Sequence, residues 1–197
     1  AEQGEGTKHL PKEKAKEIVD DFLPGRRYPD SLYRHILSEG VISEVVPFEE
    51  DASESVRFSY DKFADHMLAQ QYLDLYVEDD FGEAVSKNEN LQEIFDNPNL
   101  YPGLIQAFAI HLPEQAGVEI FEHLDSDEIL TPFIKSLGWR DPETLTDSDG
   151  GLKEEVEEYL WEEIELLDDL HELWRVLLTL ATSTDHPLNA EYLHSVI

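Results

Sequence analysis

A mainly α-helical fold is predicted for this chain of 197 residues: a winged-helix domain with a small β-hairpin, followed by a helical, superhelix-like connector domain. Three observations carry the prediction. Apolar residues recur at helical spacing along most of the chain. Residues 41–60 break that period with β-branched and alternating apolar residues. Two helical patterns precede this break and a third follows it. Helix, strand, polar excursion, strand is the order of a winged helix.

Each element has a local reason. Pro11 opens a first helix, because its missing N–H is not needed in the first turn. That helix runs to about Phe22 and is expected to bury Ile18, Val19 and Phe22. Leu23-Pro24-Gly25 stops it. Asp30 or Ser31 caps a second helix with Leu32, Tyr33, Ile36 and Leu37 on its apolar face, and Gly40 supplies the left-handed residue after it. Val41, Ile42, Val45 and Val46 predict a strand, and residues 47–54 a turn. In the second strand, 55–60, Val56, Phe58 and Tyr60 face the core. A helix then spans 61–76, capped by Asp61, with Phe63, Met67, Leu68, Tyr72 and Leu75 inward.

From residue 79 every pattern is helical. Asn97-Pro98-Asn99 starts a helix with Leu100, Leu104, Ala107, Phe108 and His111 on one side, limited by Pro113. A short helix covers 118–124. Another covers 126–137, capped by Ser126 with Glu128. Residues 139–142 connect, and 146–151 (TDSDGG) form a loop. Residues 153–181 are amphipathic, with a break near Asp168-Asp169. Asp185-His186-Pro187 starts the last helix. The resulting organisation is a tail (1–9), a winged-helix domain (10–78) and an acidic all-helical domain (79–197). The last pattern reaches Ile197 without a cap, so the chain is expected to be cut at its C-terminal side.

Composition narrows the function. Hydrophobic residues make up 41%, interspersed with the charges, which suits a folded chain. There is no Cys, which removes disulfides and thiolate metal sites. No apolar run approaches the ~20 residues of a membrane span, and the N-terminal residues lack a signal-type stretch. No membrane partner and a cytoplasmic location are expected. The net charge is -31, from 45 acids and 14 bases. Residues 1–78 carry -8 and residues 79–197 carry -23. Such a field repels phosphates. Three readings account for it: solubility in a salty cytoplasm, an acidic docking face for a basic partner, and nucleic-acid mimicry. The first is the simplest. The last fits worst, since a mimic needs no core this large.

Chemical motifs are absent. There is no phosphate loop, no GxGxxG turn, no HExxH and no GxSxG. The histidines match no metal spacing, so neither a catalytic nor a metal site is expected. The acids of 154–165 lie outside Val156, Leu160 and Ile164, as on a solvated helix face. A winged helix raises DNA binding, with 31–39 as recognition helix and Arg34 and His35 outward, after Arg26 and Arg27. That is little positive charge for an acidic domain, so a packing module is preferred and no direct nucleic-acid partner is expected.

Two stretches resemble a known family. Val56-Arg57-Phe58-Ser59-Tyr60-Asp61-Lys62-Phe63-Ala64-Asp65-His66, continuing to Leu73, is similar to the last strand and helix of the winged helix in STAND-type NTPases. The likeness is greatest to the NACHT-like ATPases of prokaryotic antiviral defence, the AVAST group. Asp185-His186-Pro187-Leu188-Asn189-Ala190-Glu191-Tyr192-Leu193-His194 resembles a second segment of those proteins, an HPLNAxxLH element. Residues 106–114 and 136–142 fall between them in the same order, so the resemblance spans roughly 28–197.

The resemblance implies a non-catalytic regulatory segment of a larger ATPase. Its nucleotide-binding domain, with ATP and Mg²⁺, would lie upstream. A sensor for a viral protein would lie downstream. Those two domains are the implied partners, and this segment itself would hold no cofactor. In the family a Met-His-Asp element senses the nucleotide phosphates. The matching positions are Ser59, Tyr60 and Asp61. Tyr60 replaces the His: a phenol donates one hydrogen bond to a phosphate but carries no positive charge near neutral pH. The other reading of Tyr60 is a strand-end core residue. The alternative to the whole assignment is an autonomous acidic winged-helix adaptor for protein–protein interaction.

Overall fold

Ser31 shows how the first helices are set. Its side chain accepts from the Arg34 N–H at 3.3 Å and caps the helix Leu32–Ser38 (α2). The preceding helix, α1 (Lys12–Phe22), starts directly after Pro11. The computed structural model of the chain describes residues 9–24, 31–46, 54–76, 80–124, 129–148, 150–164, 171–183 and 185–196. The expected Asp30 cap, the Arg26–Arg27 pair, most of the 47–54 turn, the Ser126–Glu128 cap and the Asp168-Asp169 break lie outside those residues. The chain divides into two compact units, Ala1–Ala64 and Asp65–Ile197.

The first unit holds a three-stranded antiparallel sheet. Strands β2 (Ile42–Val45) and β3 (Ser55–Phe58) form the expected hairpin, with Ile42 opposite Phe58 and Val45 opposite Ser55. A strand that sequence periodicity did not indicate, β1 (Leu10–Pro11), pairs with the other edge of β3, Leu10 opposite Val56. The sheet order is β1-β3-β2. Gly40 takes φ 70°, the left-handed turn that lets the chain leave α2 for the sheet.

The core of this unit is small: Ala15, Tyr33, Ile42 and Val56, with Val19, Ile36 and Leu37 packed on it. Tyr33 is fully buried, and its hydroxyl donates to Glu44 Oε1 at 3.0 Å. The Lys12 ammonium sits 3.1 Å from Glu44 Oε2 and 2.6 Å from Glu54 Oε2. Two inward faces differ from expectation. In α1, Ala15 is buried, while Ile18 and Phe22 face solvent. In β3, Val56 is buried, but Phe58 is half-exposed and Tyr60 lies beyond the strand in water. The sheet is short, and only one residue from each hairpin strand, Ile42 of β2 and Val56 of β3, reaches the small core with Ala15 and Tyr33.

Helix α3 (Asp61–Tyr76) starts in the first unit and runs into the second. Its buried side is Ala64, Asp65, Ala69 and Leu73, with Tyr72 partly covered. Phe63, Met67, Leu68 and Leu75, expected inward, are exposed. Small residues mark the side where a helix meets close neighbours. The apolar residues of α3 are spread around its whole circumference, so their spacing alone did not select that side.

The described elements of the second unit are helices and 3-10 turns, with one isolated β-bridge. Short helices α4 (Phe81–Lys87) and α5 (Glu89–Asp96) begin at Asp80 and Asn88, each capped by that residue's side chain. A 3-10 turn over Pro98–Leu100 then leads to α6 (Pro102–Gln115). Leu104, Ile105, Ala107, Phe108, Ala109, Ile110, His111 and Leu112 of α6 are all buried. A helix apolar all round is a central one. Phe108 meets Phe81 and Phe95 at ring-centroid distances of 5.9 and 5.3 Å. Pro113 does not end α6, which continues to Gln115. Pro113 lacks the N–H that would bond the Ala109 carbonyl, and its ring crowds that carbonyl, yet only two more residues of α6 follow it. Leu100 belongs to the 3-10 turn and is exposed, not on the face expected of it.

Around α6 lie α7 (Leu130–Leu137), the single turn α8 (Pro142–Leu145), α9 (Glu154–Ile164), α10 (His171–Ala181) and α11 (Ala190–Val196). The 118–124 helix reduces to a 3-10 turn over Ile120–Glu122. The ends of the expected 146–151 loop are joined by a bridge between Thr146 and Leu152, and the chain turns at Gly150, φ 85°. The last helix starts later than expected. Asn189, not residues 185–187, caps it, its Oδ1 accepting from the Glu191 and Tyr192 N–H groups. No helix among the described residues is long and apolar enough to cross a membrane.

Candidate functional site

The residues singled out by sequence, Tyr60 and Asp61, lie where β3 gives way to α3. The Tyr60 carbonyl accepts from the Ala64 N–H at 3.2 Å, the first turn of α3. Tyr60 therefore occupies the capping position, and Asp61 is the first helical residue rather than the cap. The Asp61 carboxylate lies in the first turn, near the positive end of the helix dipole. Tyr60 is 70% exposed, so it is not a core residue. Phe58 and Phe63 flank it in sequence and touch edge to face, centroids 5.5 Å apart. The Ser59 N–H donates to the Val41 carbonyl at 3.0 Å, fixing the chain just before Tyr60. Together these features present a phenol and a carboxylate, side by side in sequence, on an aromatic rim. That arrangement can donate and accept hydrogen bonds. It has no buried base or nucleophile.

The buried polar clusters of the second unit tie its elements to one another. Arg140 and Glu119 form a buried two-pronged pair, Nη1 to Oε2 at 2.8 Å and Nη2 to Oε1 at 2.6 Å. Arg140 Nε also donates to Thr144 Oγ1 at 3.2 Å, and Nη2 to the Thr144 carbonyl at 3.2 Å. Glu119 in turn caps the Ile120–Glu122 turn. His186 accepts from the Leu188 N–H through Nδ1 at 3.1 Å, and its Nε2–H donates to the Leu137 carbonyl at 3.1 Å. These two bonds define a neutral ring, and burial pushes its pKa below the ordinary histidine value. The Tyr192 hydroxyl donates to Glu157 Oε1 at 2.6 Å and accepts from Trp161 Nε1 at 2.9 Å. Burial and the Glu157 bond hold that phenol's pKa well up.

One histidine pair was missed by sequence. His66 Nδ1 and His111 Nε2 are 3.0 Å apart, and His111 Nδ1 lies 3.4 Å from Glu114 Oε2. The two histidines are 45 positions apart, which hides the pairing from local spacing. A carboxylate only accepts, so the contact with Glu114 is made through an N–H on His111 Nδ1, and a single proton lies between His111 Nε2 and His66 Nδ1. Among the described residues no group of three or more His, Asp or Glu could hold a metal ion. Comparisons with protein-family profiles, with characterised proteins and with solved structures find no match to this chain.

Proposed function

We propose that this chain is a non-catalytic regulatory segment of a STAND-type NTPase of antiviral defence, a winged helix and helical connector that couple nucleotide state to sensor engagement. The observation that carries the reading is Tyr60: an aromatic hydroxyl exposed at the end of the hairpin, followed by an acid at a helix start. The strand order β1-β3-β2, with α1 and α2 between β1 and the hairpin, suits a winged helix and supports the same reading. ATP and Mg²⁺ would be held by the parent's nucleotide domain, and a viral protein by its sensor. The segment would act in the cytoplasm as a body that holds the ATPase closed, with Tyr60 reporting on the phosphates and Asp61 steadying the helix behind it.

The experiment is Tyr60→Phe, in the isolated chain and in the parent. The isolated chain should keep its stability within about 0.5 kcal/mol, since an exposed hydroxyl contributes little. The parent's resting ATPase activity should change. Unaltered basal and triggered activity would remove the sensor role. The chain alone should not bind ATP, because it has no phosphate loop; micromolar binding in calorimetry would overturn the reading. A second reading, an autonomous acidic interaction module, draws on the exposed Ile18 and Phe22 of α1. An open reading frame with a phosphate loop upstream separates the two.

A further inference from the structure

Helix α1 leaves an apolar stripe without a partner among the described residues. Ala15 and Val19 pack into the small core. One turn apart beside them, Ile18 is 43% and Phe22 78% exposed, and Leu23 follows in water. The helical period puts Lys14, Glu17 and Asp21 on the solvent border of this stripe and Asp20 on the far side of the core residues. Lys14 is the one base on that border. The other lysines of α1 are engaged: Lys12 with Glu44 and Glu54, Lys16 with Glu13.

The electrostatics of α1 run against its own stability. The C-terminal carbonyls of a helix carry partial negative charge and favour cations. Here the last turn has no base, and Asp20 and Asp21 are exposed there. An exposed Phe beside Glu17 and Asp21, which form no ion pair among the described residues, does nothing for the fold of this unit. A partner with the opposite pattern would satisfy both features at once.

We propose that the outer face of α1 docks a cationic amphipathic helix from another protein. The partner's apolar side chains, one turn apart, would cover Ile18 and Phe22. Its lysines or arginines would meet Glu17, Asp21 and the carbonyl end of α1. The net charge of -31 adds attraction at a distance, which raises the encounter rate and rejects anionic competitors. This inference does not depend on the ATPase reading.

The test uses the full chain and an 18-residue leucine/lysine peptide with one apolar helical face, titrated by calorimetry at about 0.15 M salt. The control is a scrambled isomer of the same peptide, equal in charge but without an apolar face. The amphipathic peptide should bind at least about tenfold more tightly than the scrambled one. Phe22→Ser and Ile18→Ser should each weaken it about tenfold, the effect of one lost apolar anchor. Phe22→Leu should restore most of the affinity. Both positions are exposed, so these variants should melt like the parent chain. Glu17→Gln with Asp21→Asn should weaken binding about threefold at low salt and not at all at 0.5 M. Four results would each overturn the proposal. One is no binding to the unmodified chain at millimolar peptide. The second is equal affinity for the scrambled peptide. The third is unchanged affinity in Phe22→Ser. The last is self-association that Phe22→Ser abolishes, since the face would then serve a second copy.

Discussion

Arg140 and Glu119 meet in the interior with the two terminal guanidinium nitrogens each on one carboxylate oxygen, at 2.8 and 2.6 Å. Removing one partner strands the other charge in the core. Arg140→Met or Glu119→Gln should cost about 3–5 kcal/mol. Arg140→Lys should also be costly, because an ammonium cannot reproduce the fork or the Thr144 bonds. Denaturant unfolding measures the loss. A change under about 1 kcal/mol in Arg140→Met would contradict the pairing.

His186 should make the chain sensitive to mild acid. Its ring is neutral and buried in the folded state, with a pKa below the ordinary 6.5. Between the folded and unfolded values the unfolded chain binds more protons, so stability rises with pH there. The contribution is full above about 6.5 and is lost as pH falls towards the folded value. His186→Gln should be less stable than the unmodified chain at pH 8, and the gap should narrow on acidification. Urea titrations at several pH values test this. A gap independent of pH would contradict it.

Two helix starts should respond unequally. Ser31 caps α2 through its side chain, so Ser31→Ala should cost about 0.5–2 kcal/mol. Asp61 is inside the first turn of α3 and acts through the helix dipole, so Asp61→Ala should cost about 0.3–1 kcal/mol. Thermal melts of the two variants order them. A larger loss for Asp61→Ala would restore it as the cap.

The melting temperature should rise from low to molar KCl. Self-repulsion in a chain of net charge -31 opposes compaction, and counterions relieve it. A flat or falling melting temperature would mean that the acids are locally compensated. Duplex DNA should not shift with the chain at about 0.15 M salt, for the same like-charge reason.

Helix starts were readable in sequence where a cap or proline marks them, as at Pro11 and Ser31, and the hairpin where the period changes at Ile42 and Val56. Which side of a helix is buried was harder to read. In α3 the core is met by Ala64, Ala69 and Leu73, while Phe63 and Met67 stay out. Apolar periodicity weighs large residues, and close packing selects small ones. Strand β1 is two residues long, too short for any period. The Arg140–Glu119 and His66–His111 pairs join residues 21 and 45 positions apart, a distance that no local rule spans. The exposed site was half legible: Tyr60 and Asp61 were marked by resemblance, but the exposure of Phe22 came only with the fold.

The fastening of α11 sets a limit on how far this chain can be trimmed for expression. Leu188 and Leu193 fill the large core, His186 holds the end of α7, and Tyr192 ties α11 to Glu157 and Trp161 of α9. A version shortened to Ala181 would uncover an apolar socket and leave the Leu137 carbonyl and the Trp161 indole without these bonds. It should therefore be prone to aggregate, whereas trimming the first eight residues leaves every one of these fastenings in place.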